Sequence, residues 1–208
     1  PGVPGEYALT LSFRLKEEKP WAPAGHEVAW GQGVWQVPGK IRPTKQYAPL
    51  RVVRGSWNLG VQGADFSLMF SLLSGGLTSF RYGGRELIKG IPMPSFWRAP
   101  TDNDRGNNLA WRASQWKIAS LYASHRADPA LRERNEDPVR TYGDGSVGFA
   151  LVYGLPTRPE AACEVEYRAY PCGVVRVTLS YDPVEGLGSM PEFGMMLRMD
   201  ADFNKVRW

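Results

Sequence analysis

Apolar and polar residues alternate with a period of two along most of this chain, which is the signature of short, half-buried strands. From Glu6 to Leu15 the residues Tyr7, Leu9, Leu11, Phe13 and Leu15 fall on one face, and Ala8, Thr10, Ser12 and Arg14 on the other. Lys16 to Pro20 is a charged turn and Trp21 to Gly25 a loop. His26 to Val37 reads as the partner strand, with Gly31 and Gly33 marking a bulge-like irregularity. Pro38-Gly39 turns the chain. Lys40 to Pro49 carries two prolines and no apolar period. A domain junction is therefore expected there, dividing the chain into residues 1–44 and 45–208.

Beyond the junction the same period returns. Phe66, Leu68, Phe70 and Leu72 alternate with Ser67, Met69 and Ser71, and Ser74-Gly75-Gly76 turns the chain into Leu77 to Tyr82. Gly83-Gly84 turns it again into Glu86 to Lys89, completing a meander with one buried and one wet face. Val139 to Tyr142 and Val147 to Tyr153 bracket Gly143-Asp144-Gly145, and Glu164 to Tyr170 and Val174 to Tyr181 bracket Pro171-Cys172-Gly173. Both are hairpin signals. A last alternation, Phe193, Met195, Leu197 and Met199, predicts a terminal strand. One helix is expected, over Leu109 to Ser124. Trp111, Gln115, Ile118 and Tyr122 recur every three or four residues there, as do Trp116, Ala119 and Ala123. Arg126 to Asp137 reads as a polar connector. The fold class is all-β.

Composition sharpens this picture. The 23 Gly and 17 Pro imply many turns, and 8 Trp imply large aromatic anchors, which together suit short strands better than a helical bundle. A length of 208 residues leaves no room for a (β/α)₈ barrel, about 250 residues alone, beside this β-rich content. The net charge is +4, which raises nucleic acid or an anionic surface as partners. Basic and acidic residues interleave without a Lys/Arg run, so scattered charge is preferred, with neither nucleic acid nor membrane as partner. Cys163 and Cys172 flank a hairpin, which permits a disulfide, but two cysteines make no framework and reduced thiols are preferred.

The densest chemistry lies in Phe96-Trp97-Arg98-Ala99-Pro100-Thr101-Asp102-Asn103-Asp104-Arg105-Gly106. Pro100 interrupts a ladder or helix, and the Asp-Asn-Asp side chains favour bonds to nearby amides. Asp102 and Asp104, if extended, point the same way and invite an acid–base reading, because retaining glycoside hydrolysis uses two carboxyls about 5–5.5 Å apart. A loop clamp is the preferred alternative. Arg98 either pairs with one of these acids, the preferred reading, or meets a sugar hydroxyl. Gly106, Asn107 and Asn108 suit a hinge. They equally suit a static turn with Asn108 capping the helix. Trp30, Trp35, Trp57, Trp97, Trp111 and Trp116 are read as core rather than sugar platforms. His26 and His125 lie in different units and make no metal site.

The same segment resembles the signature near the start of the C-terminal β-sandwich of bacterial β-galactosidases, glycoside hydrolase family 2. Trp21-Ala22-Pro23-Ala24-Gly25-His26-Glu27-Val28-Ala29-Trp30 resembles the immunoglobulin-like domain before that sandwich. Phe203-Asn204-Lys205-Val206-Arg207-Trp208 resembles the strand that leads to the family's next Gly-rich motif. The resemblance implies a partial galactose-mutarotase-like supersandwich preceded by part of an immunoglobulin-like sandwich. It implies a fragment of a longer cytoplasmic enzyme that hydrolyses terminal β-galactosides such as lactose with retention. The catalytic glutamates would then lie on a barrel outside this chain, so no catalytic role passes to Asp102 or Asp104. The barrel domain and the galactoside are the implied partners, with a homo-oligomeric parent. Gly106, Asn107 and Asn108 match a mobile loop at the active-site mouth, with Arg98, Asp102, Asn103 and Asp104 holding it. The magnesium and sodium of the parent would sit chiefly on the barrel, with no cofactor in this chain. A free-standing carbohydrate-binding module and an interaction scaffold are the alternatives.

Overall fold

The computed structural model describes residues 3–39, 47–125, 133 and 135–205. Most of the expected junction, most of the polar connector and the final three residues lie outside this set. The chain divides into two compact units, residues 1–46 and 47–208.

The first unit is a hairpin of β1 (Gly5–Arg14) and β2 (Glu27–Val37). Tyr7 faces Trp35, Leu9 faces Gly33, Leu11 faces Gly31 and Phe13 faces Ala29. Gly31 and Gly33 keep register, and the irregularity falls instead between Phe13 and Arg14. Only Ala22 is buried among the described residues of this unit. Leu9, Leu11, Phe13, Trp30 and Trp35 are exposed. Among the described residues this unit is a two-stranded ribbon with no second layer of its own, so alternation alone buries nothing. The core placement of Trp30 and Trp35 is thereby corrected.

The second unit is built on two larger sheets. Strands β3 (Arg51–Arg54), β4 (Asn58–Gln62), β5 (Phe66–Ser71), β6 (Gly76–Tyr82) and β7 (Arg85–Glu86) form the expected meander. Strands β9 (Val139–Thr141), β10 (Val147–Leu155), β11 (Ala161–Ala169) and β12 (Val175–Tyr181) form an antiparallel sheet in the order β12-β11-β10-β9. A short pair, β8 (Met93–Ser95) with β13 (Gly194–Met196), completes the strands. The terminal alternation yields only the three residues of β13.

Alternation decides which faces meet. Phe66, Leu68 and Phe70 of β5 are buried while Met69 between them is exposed. Cys163, Val165 and Tyr167 of β11 are buried, with the intervening residues partly exposed. Phe70 stacks on Phe149 at 4.5 Å between ring centroids and tilts against Tyr167 at 5.6 Å. These contacts join the two sheets into an antiparallel sandwich, as the all-β prediction requires.

Strand β10 is buried along almost its whole length. It pairs with β9 only through Phe149. Beyond that point the Asn135 side chain replaces a strand, accepting from Val152 N–H and donating to Val152 C=O, both at 2.9 Å. Ser124 then bridges Gly154 in both directions. A buried edge amide left unpaired costs about 1–3 kcal/mol, which explains a buried asparagine at this position.

A short α1 (Asp102–Gly106) forms where a loop was expected, and the predicted helix follows in two pieces, α2 (Leu109–Arg112) and α3 (Ser114–Tyr122), interrupted by Ala113 at φ −109° and ψ 17°. Of the two apolar stripes, the one through Ala113, Trp116 and Ala119 is buried. Trp116 donates from Nε1 to Gly188 C=O at 3.0 Å and meets Tyr181 edge-on. Trp111, Ile118 and Tyr122 lie on the outside, as does Trp57. Of the six tryptophans assigned to the core, Trp116 is buried and Trp97 partly so; Trp30, Trp35, Trp57 and Trp111 are exposed.

Both cysteines are free. Cys163 lies opposite Tyr153 and Tyr181 inside the sheet, while Cys172 sits in the turn after β11. The six residue steps from Cys163 to Ala169 along the strand span about 20 Å, too far for a disulfide. Burial pushes the Cys163 thiol up to about 12. An aromatic disulfide reagent at pH 8 is therefore expected to release one equivalent of chromophore from the native chain and two after denaturation. Two fast equivalents before denaturation would contradict this placement.

Candidate functional site

The segment between β8 and α2 is a clamped surface turn, and each of its bonds follows from local chemistry. Pro100 fits just ahead of a helix start, where its missing N–H costs nothing. Thr101 then caps α1 as a capping box: its Oγ1 accepts from Asp104 N–H at 3.3 Å, and Asp104 Oδ2 accepts from Thr101 N–H at 2.8 Å. Thr101 Oγ1 also donates to Asp104 Oδ2 at 2.9 Å.

Arg98 reaches the same carboxylate with both guanidinium arms, at 2.5 and 3.1 Å. The Asp104 side chain is 11% exposed, so this pair is screened less than a surface pair. The Arg98 guanidinium, joined by the Thr101 amide, holds the Asp104 carboxyl well below the usual carboxylate range. The same pairing raises Arg98.

Asp102 goes elsewhere. The segment is helical rather than extended, so residues two apart diverge by about 200° around the axis. The Asp102 side chain is 99% exposed and accepts from Arg105 at 3.4 Å. The two acids therefore do not form the carboxylate pair that an extended segment would allow. Asn103 contributes its carbonyl, which accepts from Asn107 N–H at 3.1 Å.

Gly106 closes α1 with room around it: an added Cβ would meet nothing within 4 Å, and its φ is not positive. The positive φ falls at Asn108, at 59°. Asn108 occupies the N-cap position of α2 but makes no side-chain cap bond. Asn107 is held from the far side, since Arg112 donates from Nε to its carbonyl and from Nη2 to its Oδ1, both at 2.9 Å. Thr101 and Arg112 were not singled out from the sequence. A Thr-x-x-Asp capping signature was present for the first; a five-residue arginine reach has no sequence signal.

Two clefts among the described residues are lined by other elements. One lies beside Trp57, Leu72, Asn135 and Leu151, with a volume of about 460 Å³. The other runs between α3, β8 and β13, with about 510 Å³. Among the described residues, no group of three or more His, Cys, Asp or Glu is placed to hold a metal ion. No helix among them is long and apolar enough to cross a membrane.

A sandwich that carries a clamped loop, with Asp104 tied to Arg98, defines a β-sandwich module. Sequence comparison specifies it further. The "beta galactosidase small chain" family model matches residues 62–208, and the "beta-galactosidase, domain 4" model matches residues 1–36. A β-galactosidase of Clostridium acetobutylicum is 34% identical over 99% of this chain, and one of Halalkalibacterium halodurans is 35% identical over 98%. A "beta-galactosidase small subunit" of Latilactobacillus sakei is 33% identical over 72% of this chain and half of its own length. The chain belongs to the β-galactosidase small-chain family. It spans about one fifth of the length of the first two relatives.

Proposed function

We propose that this chain is the supporting, non-catalytic C-terminal part of a β-galactosidase that hydrolyses terminal β-galactosides such as lactose with retention. The carrying observation is that the whole chain aligns with a fifth of full-length β-galactosidases, while Asp104 is tied to Arg98. In this reading the acid–base pair belongs to the remaining four fifths. Gly106, Asn107 and Asn108 form a loop at the mouth of the active site, and Arg98, Asp104, Thr101 and Arg112 set its two ends. A relative named a small subunit supports a module that acts as a part of something larger. The cytoplasmic location and the homo-oligomeric parent follow from the same reading.

Magnesium and sodium belong to the remainder of the enzyme. No step here runs through either ion. The chain's own contribution is positional. A loop fixed at Asp104 and Asn107 keeps its free backbone between two clamps, so a sugar meets a preset edge rather than a floppy one.

The purified 208-residue chain is expected to show no hydrolysis of a chromogenic β-galactoside above buffer. Turnover by the chain alone, abolished by Asp102→Ala, would place the chemistry here and overturn the proposal.

A further inference from the structure

We propose that the outer side of α2 and α3, continued into the cleft beneath α3, docks the rest of the β-galactosidase polypeptide through an apolar segment that carries a carboxylate. This inference rests on the proposed function and names the surface that function needs.

The helix is apolar on two sides. Trp116, Ala119 and Ala113 already face the sheets. The opposite side leaves Trp111 84%, Leu121 65%, Tyr122 68% and Ile118 45% exposed. A surface helix ordinarily carries charged or polar residues there, and an apolar outer face on a soluble fold marks a contact surface. Exposed Trp and Tyr are the residue types that dominate interface energetics.

The adjoining cleft supplies the polar half of the match. It is lined by Met93, Trp97, Lys117, Leu121, Met196 and Arg198, among others, and no carboxylate occurs among its described lining residues. Leu121 belongs both to the exposed face and to the cleft. Lys117 precedes it by one helical turn, so apolar side chains and two cationic groups converge on one continuous surface. An apolar segment bearing Asp or Glu complements both. The occupant is the large remainder because the first two relatives carry about four fifths of their length outside the matched stretch. A galactoside carries no charge for Lys117 and Arg198 to meet.

The test titrates the 208-residue chain with a β-galactosidase probe, the Clostridium acetobutylicum relative lacking its 205 matching residues. The unaltered chain is expected to bind saturably. Trp111→Ser and Leu121→Asp should each weaken binding at least tenfold, with melting temperatures unchanged because both side chains are exposed. Lys117→Glu should weaken binding and flatten its salt dependence. Asp182→Asn, at the exposed residue just after β12, should bind as the unaltered chain does. Equal binding by Trp111→Ser, Leu121→Asp and the unaltered chain overturns this surface and leaves the proposed function standing. No binding by the unaltered chain overturns both. Self-association that Leu121→Asp abolishes, without binding to the probe, overturns the inference in favour of a second copy.

Discussion

Phe149→Ala is expected to destabilise the second unit by about 3–5 kcal/mol, the range for truncating a buried phenylalanine. Phe149 is 1% exposed and stacks on Phe70, so its ring belongs to both sheets at once. Removing it takes away transfer energy and leaves a cavity that strands held by ladders on either side cannot close. A domain of this size holds about 5–15 kcal/mol in total. The variant should therefore unfold at much lower urea, with the slope of the transition unchanged. Val177→Ala, on an exposed position of β12, should shift stability by less than about 0.5 kcal/mol. A loss below about 1 kcal/mol for Phe149→Ala would mean that the two sheets do not share a core.

What the sequence made legible follows from whether a signal was local. Gly143-Asp144-Gly145 and Pro171-Cys172-Gly173 announce hairpins because turn chemistry is decided within three residues. Both hairpins are present. The meander from Phe66 to Glu86 was equally readable, since period two persists across its strands. The tryptophans were not, because burial depends on a second layer that alternation does not encode. Trp30 and Trp111 sit in apolar patterns yet face outward. The helix showed two apolar stripes of equal quality, and nothing local says which one meets the sheets. The break at Ala113 was also hidden, since alanine carries no stop signal. Asn135 was invisible for the opposite reason: its role is to pair an edge seventeen residues away. At the candidate site the Arg98 pairing was readable from residue type and nearness. The choice of Asp104 over Asp102 needed the helical turn that Thr101 caps.

That choice sets the second large effect. Asp104→Asn keeps the shape of the side chain but removes the charge that holds Arg98. In the 208-residue chain the expected result is a lowered melting temperature at neutral pH, whereas Asp102→Asn should leave it within a degree because that side chain is in solvent. The pH dependence has a definite sign. The carboxyl is depressed in the folded chain relative to its ordinary 3.8. Its contribution is thus complete above that value and is lost as pH falls through the lower folded value. The gap in melting temperature between native chain and Asp104→Asn should be constant from pH 5 to 8, narrowing only as the pH drops below about 4. In a complete β-galactosidase carrying this chain, the freed Arg98 and the lost cap shift the entry to Gly106, Asn107 and Asn108. Misplacement by about 1 Å costs on the order of 100-fold in rate. A fall of that order in kcat/KM is expected, with correct folding checked by circular dichroism. Unchanged kcat/KM alongside the lowered melting temperature would leave the clamp structural and detach the loop from the active site.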